Sequence, residues 1–539
     1  MTLAAEVAVR PITGRSMAAE RSAPTPAPPA AHTTALNPIA VAQEYARTVR
    51  THRRRSHPDA CRNERCGNFN LPIFLAPSTY RSFGATGEAP RHQCKGCGAT
   101  FSSGAATRRH KWTDRTGDIL LNLVNKVPLS RICEINGVTF PQIYAKIDFI
   151  YRQCLAVAAD RETALPRSLS GGDYLFATDA QTILLNWPVR GRRGTVPLLH
   201  MSTVHNGTQF VVASTVDYDP DVSPEDVDEA MSACGDFLLP RSMRRHARLS
   251  SEREYVSSVM RGLPGLFTPE DQAAGGMFKL PGKGSRVRGD VFTYAHVMLV
   301  RRMIGREMRS ATFCVDMDSG LSAAFCATGV EAVKAGKAHV VEVSFAKGLT
   351  NDERSGLAKL GTDAFHAQYR ANRAEVERVQ EEFPGLTRRQ ALVLHQLRER
   401  FGDDCAGYRG RMLATDGVVW PFHTKAEPRK TIRLKTDLGH LGWDGLSKLV
   451  CAASIHPVDA WFNLARRRVA GFERGLPTSS NRQRIWHAYG FYDPEMVPKV
   501  VAILRFYHNW MLRGRDGKTP AMRIGLARGL IYPRDLFAF

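Results

Sequence analysis

Between residues 116 and 154 the chain reads TGDILLNLVNKVPLSRICEINGVTFPQIYAKIDFIYRQC, with its apolar residues at helical spacing in three runs. Ile119, Leu120, Leu123 and Val124 make a first apolar face. Ser130 is placed to cap a short second helix through Ile135, Gly137 marks a tight turn, and a third helix starts near Thr139 with Ile143, Ile147 and Ile150 inward. From residue 174 the pattern becomes strand-like. YLFATDAQTILLNW is a long β-prone run with one acid, Asp179, near its middle, and VPLLHMSTVHNGTQFVVASTV reads as two strands joined around Asn206-Gly207, a dipeptide that tight hairpins favour. The amphipathic helix YAHVMLVRRMIG leads into FCVDMDSGL, a short strand ending in two acids, and HVVEVSF at 339–345 is a further strand. Two stretches interrupt this order and read as insertions: about 218–290, with mixed turn and helix signals, and about 350–445, charged and helical. Near the end, IHPVDAWFNLARRR at 455–468 is helical; its 3.6-residue period brings Asp459, Phe462 and Arg466 onto one stripe, with a drift of about 20° between the outer two. In the tail, Tyr507, Asn509 and Trp510 read as packing residues, and 518–520 as a turn.

Five hundred and thirty-nine residues exceed one ordinary core, so several structural units are expected. A formal charge of +22 points to an anionic partner, nucleic acid before membrane, since no apolar run approaches the roughly 18 residues needed to span a bilayer. Residues 1–45, rich in Ala, Pro, Ser and Thr, read as a disordered leader, and the basic RTVRTHRRRSH follows at 47–57. Eleven cysteines, without a secretory-type apolar segment, argue against a secreted disulfide scaffold. Four of them are grouped: CRNERC, then after 27 residues CKGC, with Gly67, Gly96 and Gly98 at the turns. Thiolates of Cys61, Cys66, Cys94 and Cys97 at this spacing can close a tetrahedral zinc site, which would supply the core that so short a segment lacks. The segment 46–110 is therefore expected to be a zinc ribbon.

Short helix, glycine turn and longer helix make residues 111–160 a helix-turn-helix candidate, with Thr139, Gln142 and Lys146 as outward residues suited to groove edges and phosphates. Three antiparallel strands with a carboxylate on the first are the opening of a ribonuclease-H-like fold, expected over 170–530. An acid inside an apolar strand is costly to bury unpaired, and metal coordination is one reason to keep it there. Asp179, Asp316 and Asp459, from two strands and a later helix, are the parts of a two-metal phosphodiester site, in which two Mg²⁺ ions (Mn²⁺ substituting) take oxygen ligands. The fold expected is thus multidomain α/β: a ribonuclease-H-like core with helical insertions, preceded by the ribbon and the helix-turn-helix.

At these residues the sequence resembles the DDE/DDD transposases of bacterial insertion sequences, in particular those with an N-terminal zinc ribbon and helix-turn-helix. The carriers are the paired cysteine turns, ATDAQ, VDMDSGL, HPVDAWFNLARRR and RFYHNWMLRGRDGKTPAMRIGLA, and the likeness spans about residues 55–530. In that family an acid followed seven residues later by a basic residue is the third-acid pattern, which Asp459 and Arg466 fit, with Arg466 turned to DNA. The departure is Asp in place of the commoner Glu, which leaves Glu473 as a rival third acid; Asp318 likewise competes with Asp316, which directly follows the apolar strand. The resemblance implies binding of double-stranded DNA at terminal inverted repeats and at a target, metal-dependent cleavage and strand transfer, a homo-oligomer and a place at the bacterial nucleoid in the cytoplasm. The alternatives are a related nuclease or resolvase that does not join ends, and a catalytically inactive DNA-binding regulator.

Overall fold

The computed structural model describes residues 59–69, 71–73, 76–86, 89–102, 110–186, 195–221, 224–240, 243–244, 284–317, 319–414, 417–436, 441–474, 476–477 and 485–538. The leader expected at 1–45 and the basic run after it lie outside them. The chain divides into two compact units, 1–104 and 105–539.

In the first unit, β1 (Tyr80–Thr86), β2 (Ala89–Cys94) and β3 (Thr100–Ser102) form an antiparallel sheet in that order. Gly98, at φ +74°, turns the chain out of the second cysteine pair, and its N–H reaches the carbonyl of Cys94 at 2.9 Å. That left-handed backbone is cheap only for glycine. Apart from the cysteines, the cluster of buried side chains here is Tyr80 and Phe101, edge to face with ring centroids 5.4 Å apart. The Tyr80 hydroxyl accepts the N–H of Cys61 at 3.2 Å and donates to the carbonyl of Leu71.

The second unit opens with α1 (Arg115–Leu123), α2 (Leu129–Asn136) and α3 (Phe140–Glu162). Ile119, Leu120, Leu123, Val124, Ile143, Ile147 and Ile150 are buried, as the helical period requires. Gly137 ends α2 at φ 58°. The second helix begins one residue before Ser130, because Pro128 holds extended backbone at its N-cap and Ser130 falls inside the first turn. The third helix runs well past Ile150, since Cys154, Val157 and Ala158 extend its buried face. Asp148 and Glu162 on α3 pair with Lys499 (2.9 Å) and Arg505 (2.7 Å) of the helix Met496–Phe506.

A seven-stranded mixed sheet follows. β4 (Asp173–Leu185), β5 (Val196–His205) and β6 (Val211–Val216) are an antiparallel meander, with the turn at 206–208. The short strands β7 (Tyr218–Asp219) and β8 (Ser285–Arg286) pair with each other outside it. β9 (Ser310–Val315) lies parallel to β4 on its other side, β10 (Ala338–Ser344) lies parallel to β9, and β11 (Val418–Val419) and β12 (Thr431–Leu434) complete the order β11-β12-β10-β9-β4-β5-β6. α4 (Gly289–Ile304) covers one face, where its buried His296 bonds the hydroxyls of Thr203 (2.9 Å) and Thr215 (2.7 Å).

The paired β7 and β8 close the neck of the first insertion, and Arg286 there pairs with fully buried Asp217, which also accepts the N–H of Leu199 at 2.7 Å. Residues 245–283 of that insertion lie outside the described residues. The second insertion is helical: α5 (Asn351–Ala371), α6 (Arg373–Glu382), α7 (Arg388–Phe401) and α8 (Cys405–Ala414). It ends earlier than residue 445. β11 and β12, which the charged composition of 350–445 concealed, return the chain to the sheet, where β12 pairs with β10 and buries Ile432 and Leu434. α9 (His456–Arg468) then lies over the sheet face opposite α4: Trp461 Nε1 donates to Ser202 Oγ at 3.0 Å, and Phe462 packs on His200 with ring centroids 5.2 Å apart. Tyr507, Asn509 and Trp510 are buried, and the Asn509 amide pairs with both the N–H and the carbonyl of Val211, each at 2.9 Å, capping the sheet's outer strand β6. Among the described residues no helix is long and apolar enough to cross a membrane.

Candidate functional site

The four cysteines of the first unit come together. All four sulfur atoms lie within 4.8 Å of one another, with Cys61 to Cys97 at 3.5 Å and Cys66 to Cys94 at 3.8 Å. A tetrahedron with metal–sulfur bonds of about 2.3 Å has edges of about 3.8 Å, so these separations suit a tetrahedral ion, whereas a disulfide needs about 2.05 Å. Asn68 supports the group: its N–H reaches Cys66 Sγ and its amide reaches Cys94 Sγ, both at 3.3 Å. Burial pushes the thiols of Cys61 and Cys66 up; at Cys97 burial is outweighed by the N–H of Ala99 and the neighbouring thiols, which bring it down to about 7. This buried group can hold a structural metal such as zinc.

In the second unit the sheet register decides where the acids stand. Thr178 of β4 pairs with Val315, the last residue of the parallel strand β9, so the next residues, Asp179 within β4 and Asp316 just beyond β9, stand side by side. Asp179 also pairs across β5 with Ser202, the partner of Trp461, so its side chain is on the face that α9 covers. Asp459 is in the first turn of α9. The three carboxylates feel one another. Burial first, then the charges of Asp316 and Asp459, push Asp179 up to about 7, against the N–H of Ala180 (2.7 Å to Oδ1) and the charge of Lys347. Burial also raises Asp459, with Glu427 and Asp316 adding to it and Lys347 and His456 opposing. Like charges gathered in a poorly solvated place resist ionising together. The acids do not form a single-ion cage: among the described residues only the cysteines bring three or more such ligand atoms within 4.8 Å of one another. A pair of ions roughly 4 Å apart spreads its ligands over a wider span than one ion does.

Two residues of this site carried no signal that the sequence reading used. Lys347, just beyond β10, ion-pairs with Asp316, and despite partial burial the charges of Asp316, Asp179 and Asp459 hold its ammonium above the usual lysine range. Its position, a basic residue directly after a strand adjoining the acid-bearing ones, was the available clue. Glu427 is buried and accepts from Ser454 Oγ (2.7 Å), Ile455 N–H (2.9 Å) and His456 N–H (3.0 Å), while pairing with Lys430 at 3.2 Å. It thereby fixes the start of the helix that carries Asp459.

Arg466 shares the Asp459 face, but its guanidinium donates to Gln181 Oε1 on β4. Gln181 Nε2 bonds His200 Nδ1 at 3.0 Å, and His200 Nε2 reaches Ser214 Oγ at 2.7 Å and Ser202 Oγ at 3.1 Å. A polar chain, buried at His200 and Ser202, thus ties α9 to three strands. Glu473 is apart from the acids, paired with Lys126 (3.2 Å) and His487 (3.3 Å), and Asp318 lies outside the described residues.

The helix-turn-helix candidates divide differently from the expectation. Thr139 is exposed and forms a capping box with Gln142, whose side chain accepts the Thr139 N–H at 2.7 Å. Lys146 is not an outward residue: it is 8 % exposed, and its ammonium donates to the carbonyls of Lys111 (2.8 Å) and Trp112 (3.1 Å) and to Thr116 Oγ1 (2.8 Å). The reason is helical phase, since position 146 adjoins the buried Ile147 and lies three positions on from buried Ile143. No protein-family model matches the chain, and no curated protein is similar to it in sequence.

Proposed function

We propose that the protein is a DNA transposase of the DDE/DDD type, with a ribonuclease-H-like catalytic core, a zinc ribbon and a helix-turn-helix. The observation that carries this reading is the placing of Asp179 and Asp316 side by side on neighbouring parallel strands, with Asp459 on the helix laid over them near enough for its charge to act on Asp179. Strand order supports it too: a three-stranded antiparallel meander continued by parallel strands on the side of its first strand is the ribonuclease-H arrangement.

The carboxylates suit a hard divalent ion, being oxygen donors, and burial leaves the charges of Asp179 and Asp459 poorly solvated. Asp179, Asp316 and Asp459 would hold two Mg²⁺ ions, with Mn²⁺ able to substitute, and such ions supply an activated attacking oxygen and stabilisation of the leaving one. The protein's own part is placement. Glu427 fixes the helix of Asp459, Gln181 orients Arg466 beside it, and Arg466 offers a planar donor to a DNA phosphate. The cysteine group would hold zinc and give the ribbon its core. The charge of +22 supplies sequence-independent affinity for double-stranded DNA, which weakens as salt rises. Engaging two element ends and a target asks for at least a dimer, working at the bacterial nucleoid.

The test uses labelled DNA flanking the gene, with Mg²⁺ or Mn²⁺, and compares wild type with Asp179→Ala and Asp459→Ala. Cleavage at inverted repeats followed by joining to a target, lost in both variants, is expected. Cleavage without joining makes the protein a nuclease or resolvase, and binding without cleavage by folded protein makes it a regulator. Cleavage that survives in Asp459→Ala alone moves the third ligand to Glu473.

A further inference from the structure

The acids meet a cation that the chain itself provides. Lys347 stands on the short link between β10 and α5, and its ammonium is paired with Asp316. The link is fastened. Arg354 donates to the carbonyls of Ala346 (3.4 Å), Lys347 (3.1 Å) and Leu349 (3.1 Å), and Thr350 caps α5 reciprocally with Glu353. The N–H of Ala346 reaches the carbonyl of Pro428 at 3.0 Å, next to Glu427, which caps the helix of Asp459. One braced segment therefore sets the lysine and steadies the third acid.

Resting on the reading of the three acids as a divalent-metal centre, the geometry points to Lys347 as an internal counter-ion that neutralises the acids in the metal-free protein and is displaced from Asp316 when divalent ions bind. An ammonium and a divalent ion cannot share one carboxylate pocket without strong like-charge repulsion. The side chain is 59 % exposed, so its flexible stem can swing the charge outward without disturbing the core.

Mn²⁺ binding to the full-length, zinc-loaded protein is to be measured by titration calorimetry, with no DNA present, for wild type, Lys347→Met, Lys347→Arg and Asp179→Asn. Thermal unfolding of each zinc-loaded protein is to be followed without added divalent ion and in Mn²⁺. Lys347→Met should bind Mn²⁺ about tenfold more tightly at the Asp179-dependent site, as expected when a neighbouring positive charge is removed. The same variant should melt below wild type without added divalent ion and recover in Mn²⁺, while Lys347→Arg keeps wild-type affinity. Unchanged or weaker Mn²⁺ binding by Lys347→Met at a site that Asp179→Asn abolishes overturns the counter-ion role alone. An isotherm for wild type identical to that of Asp179→Asn overturns the metal centre itself, and the counter-ion role with it.

Discussion

The carboxylate of Glu427 accepts the backbone N–H groups of Ile455 and His456 at 2.9 and 3.0 Å, so a residue from a distant loop caps the helix that carries Asp459. A negative charge at a helix N-terminus is favourable, and pairing with Lys430 at 3.2 Å offsets its burial. Glu427→Ala should cost about 3 kcal/mol in urea unfolding, because Lys430 is left buried without its partner. The double change Glu427→Leu with Lys430→Met should cost less than the sum of the single changes.

Lys146 belongs to the interior of the three-helix segment. Lys146→Met leaves two carbonyls and the Thr116 hydroxyl without their donor and should destabilise the protein by about 2 kcal/mol. The salt dependence of DNA binding, measured by fluorescence anisotropy, should be unchanged, since a lysine lying on a phosphate would lower that slope by about one. Thr139→Ala removes a cap and should cost about 1 kcal/mol.

Acid should unfold the protein through its buried histidines. Burial holds His296 down to about 3 and His205 and His508 down to about 4, from an ordinary 6.5. Between those values the unfolded chain binds protons that the folded chain refuses, so stability is full above about 6.5 and falls as pH drops towards 4. Each such histidine contributes a slope of up to about 1.4 kcal/mol per pH unit. Urea midpoints from pH 7.5 to 4.5 should show this decline, and His296→Gln should be less stable at neutral pH yet show a shallower acid limb.

Removing metal should affect one unit first. A chelator strong enough to strip zinc, or Cys94→Ser, should open the β1–β3 sheet to protease while the seven-stranded sheet and the helices packed on it stay resistant. Metal analysis should find one zinc per chain in wild type and none bound in Cys94→Ser. Two or more buried thiolates need a metal to remain charged, and the sheet there has little else to bury.

Much of this arrangement is legible in the sequence because its signals are local. A four-cysteine spacing, a helix–glycine–helix pattern and an Asn-Gly hairpin each depend on a few neighbouring residues. The long strand around Asp179 and the helix from His456 stand where alternation and helical period put them. What escaped were relations between distant segments. β12 is four residues among charged neighbours and becomes a strand only by pairing with β10. Lys146 looked available because its polarity was read without the carbonyls of Lys111 and Trp112 that it serves. Glu427, which caps the helix of Asp459, and Lys347, which pairs with Asp316, act from loops with no periodicity, and only the place of Lys347 directly after a strand hints at its role.

The neck formed by β7 and β8 has a consequence for how such a chain tolerates change. Tyr218 meets Arg286 and Asp219 meets Ser285, so the chain leaves after β6 and returns before α4 at one point. Closing a loop costs free energy only as the logarithm of its length, about 0.6 kcal/mol for each doubling. Because β7 and β8 already hold those two ends together, clasped by Arg286 on buried Asp217, closure is settled at the neck, and β6 and α4 keep their places on the sheet.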